Sequence, residues 1–145
     1  MAVKQFSVDL QNVPGTLAKL SYQLGYYGIN IRGISVVDKP DNSTLRLIVH
    51  DPVSAERILK ESQIAYTVDE VIAVKMQNVP GALSEITAML AESNINIKYL
   101  YPFISTNINA IIILDTDDNK KAEELINKLD IHKKIITADE LYDIP

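Results

Sequence analysis

The chain has 145 residues, 47% of them hydrophobic and 23% charged, a globular profile long enough for one or two small domains. Its formal net charge of −5 would repel a phosphate backbone and argues against nucleic-acid binding. With no cysteine there is no disulfide framework, thiolate zinc site, cysteine nucleophile or CxxC redox motif. The opening MAVKQFSVDL alternates and lacks the apolar run of a signal peptide, and the apolar stretches Tyr99–Ile104 and Ala110–Leu114 are too short to span a bilayer. A cytoplasmic protein with no membrane contact is the expectation.

Reading along the chain exposes a duplication. QNVPG stands at Gln11–Gly15 and again at Gln77–Gly81, and INI at Ile29–Ile31 and Ile95–Ile97, both 66 positions apart. Leu17, Leu24 and Val8 map onto Leu83, Leu90 and Val74 at the same offset, and one residue is inserted in the second copy before Asp118. Two domains, 1–70 and 71–145, follow from this spacing. No Gly/Pro/Ser-rich linker parts them; Val68-Asp69-Glu70-Val71 leads from one strand pattern into the next.

Each copy reads the same way. Phe6, Val8 and Leu10, then Ile72, Val74 and Met76, alternate as a half-buried strand. Leu17, Leu20, Leu24 and Tyr27, then Leu83, Ile86 and Leu90, recur at helical spacing. Asn12 or Asn78 is the expected helix cap, with the following proline in the first turn, and Gly28 or Asn94 the expected stop. A second strand is expected from Ile29 or Ile95, and a third over Leu45–Val49 or Ile111–Asp115. The hairpin turns fall at Pro40–Ser43 and Thr106–Asn109. A second helix starts at Asp51-Pro52 or Asp118, and a fourth strand lies near Ile64–Val68 or Lys134–Thr137. Asp139–Tyr142 reads as a short helical turn. The fold class is therefore α+β: two ferredoxin-like βαββαβ sandwiches, antiparallel sheets with helices on one face.

The strand-to-helix turn N-V-P-G-x-L is the element with chemistry in it. Proline fixes the backbone, glycine lets another molecule come close, and the unpaired N–H groups of the helix's first turn carry partial positive charge. Such a turn suits the carboxylate of a free amino acid, and the asparagine amide both donates and accepts. Asn30 or Asn96 stands near the start of the next strand, and a pocket between units can combine a loop from one with a strand from another. Tyr99, Tyr101 and Phe103 read as core or dimer interface before ligand contacts.

This pattern, N-x-P-G-x-L, a helix, then G/N-I-N-I, resembles the ACT domain, a regulatory module that binds small ligands, usually amino acids. The resemblance covers both halves and is similar to stand-alone proteins made of two ACT domains. It implies ligand binding where two domains meet, through the loop after the first strand and residues of the second. One set would be Asn12, Val13, Pro14, Gly15, Thr16, Leu17, Asn30 and Ile31; the other Asn78, Val79, Pro80, Gly81, Ala82, Leu83, Asn96 and Ile97. Some serine-binding members carry a histidine where this chain has Leu10 and Met76, so serine is not implied.

Other features read as structure. Tyr22, Tyr26 and Tyr27 fit helix packing and surface. Asp115, Asp117 and Asp118 lack the glycine of a calcium loop, Lys120 holding its place, and fit a helix cap. His50 and His132 lie at non-corresponding positions, and no phosphate-binding glycine motif occurs, so no nucleophile–base pair, metal site or cofactor is implied. The expected function is a non-catalytic, allosteric amino-acid sensor, a homo-oligomer such as a homodimer, that regulates amino-acid metabolism through an enzyme or transcription factor. The rival is a structural module that dimerises through its sheets without ligand; a small enzyme ranks third.

Overall fold

A computed structural model describes residues 2–104, 109–129 and 133–144. Its elements are β1 (Val3–Gln11), α1 (Thr16–Tyr26), β2 (Ile31–Asp38), β3 (Asn42–Val49), α2 (Pro52–Glu61), β4 (Thr67–Met76), α3 (Ala82–Glu92), β5 (Ile97–Pro102), β6 (Ala110–Thr116), α4 (Asn119–Asn127), β7 (Lys133–Ile136) and α5 (Ala138–Tyr142). They fall into two compact units, Lys4–Glu70 and Val71–Pro145, the second joined by Met1–Val3. The α+β class and the repeated βαββαβ order are those the sequence dictates.

In the first unit β3 pairs antiparallel with β1 (Phe6 opposite Leu47) and with β2 (Ser35 opposite Arg46). Ser7 Oγ donates to Asp69 Oδ2 at 3.2 Å, beside β1's other edge, where the Thr67–Glu70 share of β4 supplies the fourth strand. In the second unit β4 is flanked by β6 (Val74 opposite Ile112) and β7 (Val74 opposite Ile135), and β5 closes the far side of β6.

Each core forms where alternate strand residues meet the helical stripes. Phe6, Val8, Leu45 and Leu47 meet Leu20, Leu24, Ile58 and Leu59; Ile72, Val74, Ile112 and Leu114 meet Ile86, Leu90, Ala122 and Ile126. Burying each large side chain contributes about 1.5–3 kcal/mol. Tyr66 closes the first core, edge-on to Phe6 with ring centroids 5.8 Å apart and its hydroxyl donating to Glu56 Oε1 at 2.8 Å. Tyr27, expected on the helical stripe, is instead exposed just past the end of α1, and Leu83 is also exposed.

The helix ends follow local chemistry. Asp51 and Asp118 cap α2 and α4, each accepting an amide hydrogen at 3.1 Å, from Ser54 and Lys121. Gly28 and Asn94, as expected, stop α1 and α3 in the left-handed region, at φ 76° and 58°. The next residue's amide then reaches back, Ile29 to the Leu24 carbonyl and Ile95 to that of Leu90, both at 2.9 Å.

That closure moves the second strands. They begin at Ile31 and Ile97, two residues later than expected, because Ile29 and Ile95 are buried anchors of the helix ends, 5% and 6% exposed. A register shift then separates Ile31 from Gly33 and Ile97 from Tyr99, so that Ile31 and Ile34, and likewise Ile97 and Leu100, pack toward the core from positions three apart. The first hairpin is tighter than expected: Asn42 and Ser43 already belong to β3, and Lys39 donates to the Asn42 carbonyl at 2.9 Å. Of the second turn, residues 106–108 lie outside the described residues, as does His132. Ile64–Tyr66 precede β4, since Gln63 is left-handed (φ 57°) and Ile64 closes α2 by donating to the Leu59 carbonyl.

Candidate functional site

The duplicated turns are built alike. After β1, the Val13 amide donates to the Gln11 carbonyl at 2.9 Å, and Thr16 Oγ1 donates to the carbonyls of Gln11 and Val13 at 2.9 and 3.1 Å. After β4, the Ala82 amide donates to the Val79 carbonyl at 3.3 Å. The residue that starts each helix is glycine, left-handed at φ 95° (Gly15) and 88° (Gly81), and no side chain caps either helix. This corrects two expectations. Asn12 and Asn78 are not the caps, and Pro14 and Pro80 precede the helices rather than sit in their first turns. A capping asparagine needs its own extended backbone immediately before the helix, and that place belongs to the glycine.

What the sequence proposed as an anion cradle is therefore geometrically open. Asn12, Val13, Pro14 and Gly15 are exposed, as are Asn78, Val79, Pro80 and Gly81. Among the described residues, no protein acceptor meets the amide hydrogens of Thr16 and Leu17, or of Leu83. An ideal Cβ on Gly15 or Gly81 would meet no atom within 4 Å. A helix end of this kind contributes about 0.3–1 kcal/mol to a nearby anion, too little to hold a small ligand alone.

Asn30 and Asn96 lie elsewhere. Each is tied to the residue after the third strand of its own unit by a reciprocal pair. The Asn30 amide donates to His50 Nδ1 at 3.1 Å while its carbonyl accepts from the His50 amide at 3.2 Å. The Asn96 amide donates to Asp117 Oδ1 at 3.1 Å while its carbonyl accepts from the Asp117 amide, also at 3.1 Å. His50 thus corresponds to Asp117, which fits the single inserted residue. Helix α1, with its 11 residues, is about 16 Å long and stands between the Asn12 turn and Asn30. Within one unit these groups occupy opposite ends. Ile31 and Ile97, named with them, are half-buried and pack against the cores.

Beside the first turn lies a groove of about 390 Å³, whose border includes Asp9, Leu10, Gln11, Thr16, Lys19, Gln23 and the segment Ser62–Ala65. Thr16 is the only sequence-predicted site residue in its lining; Gln11, Lys19, Gln23 and Gln63 were missed. Gln23 Nε2 donates to Ser62 Oγ, joining α1 to the end of α2.

The three aspartates of the second unit do structural work. Asp118 caps α4, Asp117 holds Asn96, and Asp115 Oδ1 accepts from Asn119 Nδ2 at 2.8 Å. Among the described residues no group of three or more His, Cys, Asp or Glu is placed to hold a metal ion, and no helix is long and apolar enough to cross a membrane. Tyr22 and Tyr26 on α1 and Tyr27 just past its end form an exposed cluster, with neighbouring ring centroids 6.4 and 5.1 Å apart. Tyr101 and Phe103 are buried, and Tyr99 stacks on Tyr101.

Comparison with known proteins places this geometry. Residues 1–143 match the family model described as an ACT domain pair. The crystal structure of protein BT0572 from Bacteroides thetaiotaomicron is similar over 99% of this chain and 98% of its own, at 28% identity and a TM-score of 0.88. The ligand-free regulatory subunit of aspartate kinase from Thermus thermophilus shares the fold over 86% of this chain and 89% of its own, at 17% identity and a TM-score of 0.61. Aspartate kinase from Synechocystis matches 87% of this chain with 25% of its own length, at 20% identity and a TM-score of 0.53. No curated protein has a sequence that matches this one. The paired βαββαβ units, the repeated N-V-P-G turns and the family match across nearly the whole length together make this chain a member of the ACT domain-pair family.

Proposed function

We propose that the protein is a non-catalytic sensor that binds a free amino acid at its ACT turns and regulates amino-acid metabolism through a partner enzyme or transcription factor. The observation that carries this reading is the turn itself: built twice, each time with a left-handed glycine and a helix start that no side chain caps. A structural module has no need of that arrangement, since α2 and α4 in the same chain are capped by aspartate. Ligand binding would favour one packing of the protein over another, which requires the ligand to prefer one state energetically. The protein would work in the cytoplasm as a homo-oligomer, with sheet edges such as β2 and β5 available for pairing.

A thermal-shift panel of the twenty amino acids tests the proposal. Ligand at about 100 times its dissociation constant adds about 2.7 kcal/mol. For a chain of this size that raises the midpoint by roughly 5–10 °C. No shift with any amino acid at about 10 mM, roughly ten times a 1 mM affinity, would replace the sensor with the ligand-free module.

A further inference from the structure

The two repeats differ chemically beside their turns, and the difference identifies a ligand class. The groove of the first unit, about 390 Å³, falls in the range of small-molecule sites, roughly 300–1,000 Å³. Its floor is apolar, with Val8, Leu20 and Ile64. Its border carries one ammonium, Lys19, the glutamines Gln11, Gln23 and Gln63, and one carboxylate, Asp9, which is taken up by Thr44 Oγ1 donating to its Oδ1 at 3.1 Å. Gln23 is steadied by its bond to Ser62. At the matching positions of the second unit the sequence has Glu85 for Lys19, Met89 for Gln23 and Leu129 for Ser62. On the helix and the segment after α2, a cation and two hydrogen-bonding groups are replaced by an anion and two apolar side chains, while Lys75 stands for Asp9, whose carboxylate is already bonded to Thr44.

We propose that each chain binds one ligand, in the groove of the first unit, and that this ligand is an amino acid with a side-chain carboxylate or carboxamide. The proposal rests on the sensor reading above and narrows it. Lys19 supplies the charge partner for a carboxylate. Glutamine side chains both donate and accept, so they complement carboxamide and carboxylate oxygens alike. A lysine or arginine ligand meets like charge at Lys19, and an aliphatic ligand leaves the amides of the walls unpaired. In the second unit a carboxylate would face Glu85, so that copy is not a second site for the same ligand.

Isothermal titration of the full chain with aspartate, glutamate, asparagine and glutamine, against leucine and lysine, tests this. The expected result is one site per chain for at least one of the first four and no binding of the last two. Lys19→Glu should weaken that binding at least tenfold and leave the midpoint of the unliganded protein in place, because Lys19 is exposed. Gln23→Met, the second unit's residue at that position, should also weaken it, and Glu85→Lys should not. Two sites per chain, undiminished binding in Lys19→Glu, or a preference for leucine or lysine would overturn the assignment and leave the sensor standing. Failure of all twenty amino acids to bind would overturn both.

Discussion

Glycine to alanine is a small change, yet inside α1 and at the residue that precedes it the change should act with opposite sign. Gly25 lies inside the helix with ordinary backbone angles, is exposed, and has open space where a Cβ would go. Alanine there removes unfolded-state freedom and should stabilise by about 0.5–1 kcal/mol. Gly15 has equally open space, but its φ of 95° lies where an L side chain is strained. Alanine there should cost about 1–2 kcal/mol with no clash involved. At roughly 2–4 °C per kcal/mol, Gly25→Ala should raise the midpoint by about 1–4 °C and Gly15→Ala lower it by about 2–8 °C in thermal denaturation. Gly15→Asn separates backbone from ligand, because asparagine tolerates the left-handed region while placing a side chain beside the turn. It should recover much of the lost stability and still weaken amino-acid binding. A neutral or stabilising Gly15→Ala would refute the left-handed helix start, and with it the account of why these turns hold glycine.

Two further outcomes follow from the helix ends. Hydrogen bonds from the Ser54 side chain and amide hold the Asp51 carboxyl below the usual carboxylate range. Its folded value is depressed, so its contribution is present at neutral pH and lost as pH falls through that value. Asp51→Ala should cost about 1 kcal/mol at pH 7, and denaturant titrations of variant and parent should converge in acid. Gln63 and Asn94 are both left-handed, at φ 57° and 58°. Gln63→Gly should stabilise by about 1 kcal/mol in the same assay and Asn94→Gly by less, because asparagine already suits that region; equal gains would contradict this account.

The duplication was the most legible part of the sequence. It set the fold, because each copy repeated one order of alternating and helical patterns, and Asp51 and Asp118 announced their helices through side chains whose capping chemistry is short-range. Misreadings arose where one residue type serves two purposes. Ile29 and Ile95 look like the first residues of strands, but their side chains seal helix ends, and the strands wait for Ile31 and Ile97. Asn12 and Asn78 look like caps, and a glycine in a rare conformation takes that position. The bulges that let Ile31 and Ile34 share a face are invisible to a period of two. The groove was missed because it joins a strand end, a helix face and the residues after a second helix. Only aligning Lys19 with Glu85 and Gln23 with Met89 would have flagged it.

The unit that contains Val71–Pro145 also claims Met1–Val3, and Val3 is fully buried there. During synthesis Val3 must therefore wait for Val71, Ala73 and Ile136, which lie beside it in the folded unit, whereas Lys4–Glu70 has all of its own material in hand early. A charged side chain in place of Val3 would burden the later-born half, not the one that follows it in sequence.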